Sequence, residues 1–259
     1  MELSIFQVDA FSSKVFGGNP AAVVPLQNWL PDATLQSIAN ENNLAETAYF
    51  VQVGERYHLR WFTPAVEMDL CGHATLASAW VLFHQLGYGQ DRISFDTKSG
   101  ELVVRKEGDL LVMDFPSRPP QPIPPNPELV AAMGGKPHAV MASRDYFLVY
   151  GSEEEVVALQ PDMNGLLKLE KGAVIATAPG KECDFVSRFF APKLGVNEDP
   201  VTGSAHCTLI PYWAERLNKT KLHAWQISPR RGELFCTHAG QRVEMAGHAV
   251  LYLKGTIWV

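Results

Sequence analysis

The chain has 259 residues, a formal net charge of −6 and a pI near 5.8. Its 46% hydrophobic and 19% charged residues are typical of a folded globular protein, and the acidic balance argues against nucleic-acid binding. No apolar run reaches bilayer length, and the amino terminus lacks the basic segment of a secretory signal. We therefore expect a cytoplasmic protein without membrane or nucleic-acid partners.

The first half of the chain is predicted to combine strands with two helices. Polar and apolar spacing over residues 32–43 indicates a helix, with Asp32 as a plausible cap. Residues 74–88 are apolar almost all round, which is typical of a buried helix. Alternating or β-branched segments predict strands over 3–11, 46–53, 57–64 and 92–116.

A proline-rich stretch divides the chain near its middle. Residues 116–127 hold seven of the 18 prolines. Proline fixes φ and has no N–H to donate, so this stretch predicts an extended linker.

The second half repeats the theme of the first. Its predicted helices are an acidic one over 152–169 and an apolar one over 204–217. Strands are predicted over 139–151, 173–180, 184–192 and within 233–259.

Two segments of the chain can be aligned as an internal repeat. RWFTP at 60–64 matches RFFAP at 188–192, and an acidic loop, a small-residue turn and an apolar helix follow each. The aligned positions are Cys71 with Thr202, Gly72 with Gly203, and His73 with Ser204. The repeat implies two similar halves that face each other, each directing a helix N-terminus into the cleft. Such ends present unpaired N–H groups and positive potential, which suit a small anion.

Several motifs resemble one known family in order along the chain. They are FGGNPAAVV, NLAETAYFV, LRWFTPAVEMDLCGHATLASAWVL and SRFFAPKLGVNEDPVTGSAH. They resemble the PhzF-like (phenazine biosynthesis-like) isomerases, a branch of the diaminopimelate-epimerase fold. The resemblance implies an α+β protein of two pseudo-symmetric domains, each a curled mixed β-sheet around a central helix. The expected domains are 1–115, joined by 251–259, and 128–259, with 116–127 as the linker.

The resemblance also implies an activity and its residues. The expected enzyme is a cofactor-independent isomerase that moves a proton between carbons of a small carboxylic acid in the interdomain cleft. The resemblance also suggests a homodimer. Glu46 corresponds to the catalytic glutamate. The residues expected to bind substrate are His73, Asp199 and Ser204, with backbone N–H groups of Gly72 and Gly203. Asn19 is a further candidate for ligand contact, although a role in its turn is favoured.

Each of these side chains also has a structural explanation. Glu46 could be a solvated strand end, and His73 could cap or pack against its helix. Asp199 could be a turn carboxylate stabilised by the helix dipole, with Glu198 solvated. Ser204 has no G-x-S-x-G context, so it is not expected to be a nucleophile.

Cys71 raises two alternatives to the isomerase. Epimerases of this fold use two facing thiols, but the position paired with Cys71 is Thr202, whose hydroxyl is too weak an acid. A packed thiol is therefore favoured, while an amino-acid epimerase using Cys71 stays open, as does a non-catalytic metabolite-binding module. The cysteine and histidine spacings match no usual metal site, and no nucleotide-binding glycine motif occurs.

Overall fold

The computed structural model describes residues 1–259, which form two compact units. The first comprises Met1–Asp114 with Ala246–Val259, and the second comprises Phe115–Met245. Both combine a mixed β-sheet with a few helices, so the fold is α+β. None of the helices is both long and apolar enough to span a bilayer.

The first unit is a mixed sheet packed around one helix. Its strands are β1 (Glu2–Ala10), β2 (Asn19–Leu26), β3 (Glu46–Val53), β4 (Arg56–Phe62), β5 (Glu67–Met68), β6 (Arg92–Thr97), β7 (Gly100–Glu107), β8 (Leu110–Pro116, which ends just past the unit boundary) and β18 (Ala249–Trp258). The sheet order is β18-β1-β2-β3-β4-β6-β7-β8, with β2–β3 and β4–β6 parallel and β5 attached to β4.

The helices of the first unit are α1 (Asp32–Asn42) and α2 (Gly72–His84). The apolar run predicted to be a buried helix is α2, which contacts β1, β2, β3, β7 and β18. Burial on all sides explains why this segment has no polar face. The expectation that Asp32 caps α1 is wrong, because Pro31 occupies the cap position and Asp32 instead accepts a hydrogen bond from Arg60.

The second unit repeats this plan around another buried helix. Its strands are β9 (Gln121–Pro122), β10 (Ala139–Ala142), β11 (Tyr146–Val149), β12 (Val174–Pro179), β13 (Phe185–Ala191), β14 (Val196–Asp199), β15 (Lys221–Gln226), β16 (Gly232–Ala239) and β17 (Arg242–Gly247). Pairing runs β9-β10-β11-β12-β13-β15-β16, with β11–β12 and β13–β15 parallel and β14 antiparallel to β13. The helices are α3 (Pro127–Met133), α4 (Glu153–Val157), α5 (Met163–Leu166) and α6 (Gly203–Leu217), and α6 is the buried one.

Two proline-containing segments differ from their sequence-based predictions. The single acidic helix predicted over 152–169 is two short helices, α4 and α5, because Pro161 between them has no N–H to continue a helical ladder. The proline-rich stretch at 116–127 lies within the second unit and is bonded into it. It contains β9, and the N–H of Arg118 donates to the carbonyl of Cys207 at 2.8 Å.

Candidate active site

The loops that lead into α2 and α6 are each held by an arginine–glutamate pair. Arg60 donates to both carboxylate oxygens of Glu67 at 2.7 and 3.0 Å. Arg188 donates to both carboxylate oxygens of Glu198 at 2.7 and 2.9 Å. Each guanidinium also lies over the ring of the phenylalanine two residues later, 5.1 and 4.8 Å from its centre. The expectation that Glu198 is solvated is therefore wrong, since this half-buried side chain fixes the loop.

Both helices begin in the same way. Cys71 and Thr202 are the N-cap residues, in extended conformations with φ of −143° and −116°. Neither helix has a side-chain hydrogen bond at its cap, and Gly72 and Gly203 are the first helical residues. The repeat read from the sequence thus corresponds to two similarly built helix N-termini, one in each unit.

In the first unit, Glu46 and His73 form a close and mostly buried pair. Nε2 of His73 lies 3.1 Å from Oε2 of Glu46, and their side chains are 6% and 15% exposed. Although the atoms are close, they are not aligned as a hydrogen bond, and both are buried without another hydrogen-bond partner. Unsatisfied buried polar atoms are uncommon in folded proteins and often mark functional sites.

The other nitrogen of the His73 ring faces Asn19 and Cys71. Nδ1 lies 3.2 Å from the amide nitrogen of Asn19 and 3.6 Å from the sulfur of Cys71. Asn19 is fully buried and is brought to His73 from β2, 54 residues earlier in the chain. Cys71 is itself buried, as expected for a packed thiol, and its contact with His73 also makes it a neighbour of the candidate site.

Charge within this group favours a protonated histidine beside a carboxylate. Burial opposes charge on His73, but Cys71 and Glu46 outweigh it and raise the pKa of His73 well above its usual value. Burial, reinforced by the charge of Glu46, raises the pKa of the Cys71 thiol. Because Cys71 is thereby kept as a neutral thiol, we attribute the raised pKa of His73 to the carboxylate of Glu46.

In the second unit, Asp199 belongs to a tightly bonded loop. The hydroxyl of Thr202 donates to Oδ2 of Asp199. Gln226 is fully buried, accepts from the N–H of Thr202 at 2.8 Å and donates to the carbonyl of Asp199 at 2.7 Å. Ser204, the second residue of α6, is half-buried one turn from this loop. Sequence reasoning missed Gln226, which stands in no recognisable motif, and the role of Thr202, whose motif does not show that its hydroxyl bonds Asp199.

A second buried histidine in α6 has the opposite character to His73. Nδ1 of His206 lies 2.8 Å from the carbonyl oxygen of Thr202. Burial lowers the pKa of His206 to about 4, although the contact with Thr202 opposes this. His206 is therefore neutral near neutral pH.

Glu46, Cys71 and His73 could each offer one ligand atom to a metal ion, and these atoms lie within 4.8 Å of one another. No sequence pattern indicates this cluster, because Glu46 is distant in sequence from Cys71 and His73. However, Cys71 faces Nδ1 of the His73 ring and Glu46 faces Nε2. A single ion binds only one nitrogen of an imidazole, so this arrangement does not present all three ligands to one ion.

Comparison with known proteins places this geometry in a family. The family model described as "Phenazine biosynthesis-like protein" matches residues 8–255. An uncharacterised isomerase of Pseudomonas aeruginosa is 53% identical over 257 residues, with 99% of each chain covered. The crystal structure of a phenazine biosynthesis protein of the PhzF family from Enterococcus faecalis is 49% identical, with a TM-score of 0.98 over 100% of both chains.

A more distant structure, a predicted epimerase from Pseudomonas aeruginosa, shares the fold with a TM-score of 0.77 at 21% identity over 99% of each chain. The expected diaminopimelate-epimerase-like α+β fold is thus confirmed, as is the resemblance read from the motifs. The chain belongs to the phenazine biosynthesis-like protein family. Like its relatives that are named isomerases, it is an isomerase.

Proposed function

We propose that the chain is a cofactor-independent isomerase in which Glu46 removes a proton from one carbon of a small carboxylic acid and returns it to another. The observation that carries the proposal is the pair formed by Glu46 Oε2 and His73 Nε2. They lie 3.1 Å apart, buried and without aligned hydrogen-bond partners.

The energetic cost of such a pair supports a role beyond folding. A buried polar atom without an aligned hydrogen bond costs about 1–3 kcal/mol, so the charge attraction between Glu46 and His73 leaves hydrogen-bonding capacity at both atoms that a bound group could use. A substrate with a polar group next to an acidic C–H would satisfy both atoms at once. Glu46 would accept the proton from carbon while His73 donates a hydrogen bond to the neighbouring oxygen.

We further propose that substrate binding involves the remaining residues that match the family motifs. Asp199 and Ser204 would contact polar groups of the substrate, and Gly72 and Gly203 would offer backbone N–H groups to an anion. The uncapped starts of α2 and α6 support this role, because their first N–H groups have no side-chain acceptor.

The alternative of an epimerase that uses Cys71 has one observation in its favour, which is the 3.6 Å contact between its sulfur and His73. Two others weigh against it. Burial raises the pKa of Cys71, which disfavours the reactive thiolate, and the hydroxyl of Thr202 is bonded to Asp199. A Cys71→Ser variant that retains activity would remove this alternative.

The proposal is tested by incubating the protein in D₂O with dihydro-hydroxyanthranilate analogues and amino acids, and measuring deuterium uptake by mass spectrometry. We expect uptake at carbon in the wild type and a loss of about 10³-fold in Glu46→Gln. Glu55→Gln, which makes the same change at an exposed turn, is the matched control and should behave as the wild type.

Two outcomes would contradict the proposal. Uptake that persists in Glu46→Gln would exclude Glu46 as the base, and uptake that is lost after treatment with a chelator would exclude a cofactor-independent reaction. A wild type that binds panel compounds without any exchange would favour the metabolite-binding module instead.

A further inference from the structure

We propose that Asn19 is a positioning residue that holds Nδ1 of His73 as a hydrogen-bond acceptor, so that the neutral ring carries its proton on Nε2, beside Glu46. The inference deepens the proposed function, on which its catalytic meaning rests. The proton position itself can be measured without a substrate.

The contact between Asn19 and His73 defines the roles of the two atoms. The amide nitrogen of Asn19 lies 3.2 Å from Nδ1, in a fully buried position. An amide nitrogen can only donate, so Nδ1 accepts from it when the ring is neutral, whereas the protonated ring carries hydrogen on both nitrogens. In a neutral imidazole one nitrogen accepts and the other bears the hydrogen, which places the hydrogen on Nε2.

Cys71 is compatible with the same assignment but does not select it. Its sulfur lies 3.6 Å from Nδ1, and burial keeps it as a thiol by raising its pKa. A thiol can weakly donate or weakly accept, so the contact is allowed with Nδ1 as an acceptor.

Glu46 selects the same state from the opposite side of the ring. If the hydrogen of the neutral ring were on Nδ1, the lone pair of Nε2 would face the carboxylate of Glu46 at 3.1 Å, an unfavourable contact of two acceptors. With the hydrogen on Nε2, the pair consists of a donor and an acceptor. Two neighbours of His73, Asn19 and Glu46, therefore favour one proton position.

The backbone fixes Asn19 independently of any ligand. Asn19 is the first residue of β2 and pairs with Ala10 on β1. The preceding residue, Gly18, has φ of +63°, and a Cβ there would lie 2.0 Å from the carbonyl oxygen of Ala10. The turn therefore requires glycine, and it sets the amide of Asn19 in place before a substrate binds.

His206 provides a control within the same chain. Its Nδ1 lies 2.8 Å from the carbonyl oxygen of Thr202, which can only accept. The neutral ring of His206 must therefore carry its hydrogen on Nδ1, the opposite of His73. Both rings are buried, so a difference between them reports their partners and not their exposure.

The test is an imidazole ¹⁵N–¹H NMR experiment on the full chain with ¹⁵N-labelled histidine, without ligand and at a pH high enough to neutralise the ring of His73. Signals are assigned with His73→Gln and His206→Gln. We expect hydrogen on Nε2 for His73 and on Nδ1 for His206. In Asn19→Leu, the ratio of the two neutral forms of His73 should fall by about 10-fold, the effect of one hydrogen bond, while His206 stays unchanged.

A neutral wild-type His73 with its hydrogen on Nδ1 would overturn the proposal, and so would an Asn19→Leu spectrum in which His73 is unchanged. Asn19→Asp is the second variant, because a carboxylate can only accept and should draw hydrogen to Nδ1. If Asn19→Leu fails to fold, as judged by circular dichroism, the wild-type spectrum and Asn19→Asp still decide. Either failure would leave the deuterium exchange by Glu46 to be judged separately.

Discussion

The N-termini of α2 and α6 share one backbone arrangement but differ in the hydrogen bonds of their side chains. Each follows an arginine–glutamate pair, an extended N-cap residue and a glycine. At α2 the side chains of Glu46 and His73 meet without an aligned hydrogen bond. At α6, Asp199, Thr202 and Gln226 are bonded to one another. The same scaffold thus holds a buried acid–base pair without an aligned hydrogen bond in one unit and a hydrogen-bonded polar loop in the other.

The difference between the two helix N-termini suggests which of them transfers the proton and which orients the substrate. A group that moves a proton must have a free position for it, whereas a group that orients a substrate gains from being held by its neighbours. We therefore assign proton transfer to the first unit and orientation to the second. Four pairs of variants test or sharpen this division, from the largest expected effect to the smallest, and a fifth pair, at Glu46 and Asp199, tests it most directly.

The two aligned residues His73 and Ser204 should differ most in activity. His73→Gln removes a donor beside Glu46 and should lower the exchange rate by about 10²–10³-fold. Ser204→Ala should lower it by no more than about 10-fold, mainly by weakening substrate binding. Deuterium uptake at several substrate concentrations measures both effects. Equal losses in the two variants would contradict the division between the units.

Gln226→Leu should destabilise the second unit strongly. It leaves the N–H of Thr202 and the carbonyl of Asp199 without their partner, at a cost of about 3 kcal/mol in the free energy of unfolding. Gln226→Glu retains the acceptor and should cost less. Urea denaturation measures both variants, and an unchanged midpoint for Gln226→Leu would show that the loop does not depend on this side chain.

The two buried histidines should give opposite pH dependences of stability. Because the pKa of His206 falls to about 4 on folding from an ordinary value near 6.5, the unfolded state binds a proton first. Its contribution is therefore full above about pH 6.5 and is lost towards pH 4, on the order of 3 kcal/mol. His206→Gln should flatten the stability profile over this acidic range.

His73 should act in the other direction, since its pKa is raised in the folded state. Its contribution is full below the unfolded value and is lost as the pH rises through the higher folded value. His73→Gln should therefore flatten the alkaline side of the profile and leave the acidic side as in the wild type. Urea midpoints measured across pH for both variants are the test, and parallel profiles would contradict the assignment.

The two arginines should differ by about 1–2 kcal/mol when replaced by methionine. Arg188 donates to the carbonyls of Val156 and Leu159 as well as to Glu198, so Arg188→Met leaves several acceptors unpaired. Arg60→Met should cost less, because its partner Glu67 keeps an ion pair with Lys98. Thermal unfolding compares the two variants, and a larger loss of stability for Arg60→Met would contradict the expectation that Arg188 leaves more acceptors unpaired.

The fold was largely predictable from patterns that are local in sequence. The apolar run at 74–88 indicated α2 because a helix buried on all sides needs no polar face. The alignment of 60–64 with 188–192 indicated the repeated scaffold. The break between α4 and α5 was missed, although Pro161 was the signal for it.

The site was only partly predictable, because its contacts join distant parts of the chain. Motif resemblance identified Glu46 and His73, but nothing local showed that Asn19 reaches the same ring. Gln226 was missed for a related reason, since glutamine at the end of a strand carries no signal until its partners are known. Side-chain hydrogen bonds over long sequence separations depend on tertiary packing.

The most direct test of the division between the two units compares Glu46→Gln with Asp199→Asn in the deuterium-uptake assay at saturating substrate. The account predicts that Glu46→Gln loses exchange by about 10³-fold, whereas Asp199→Asn retains it within about 10-fold and needs more substrate to saturate. Exchange that survives in Glu46→Gln, or that is lost equally in both variants, would contradict the assignment of proton transfer to Glu46.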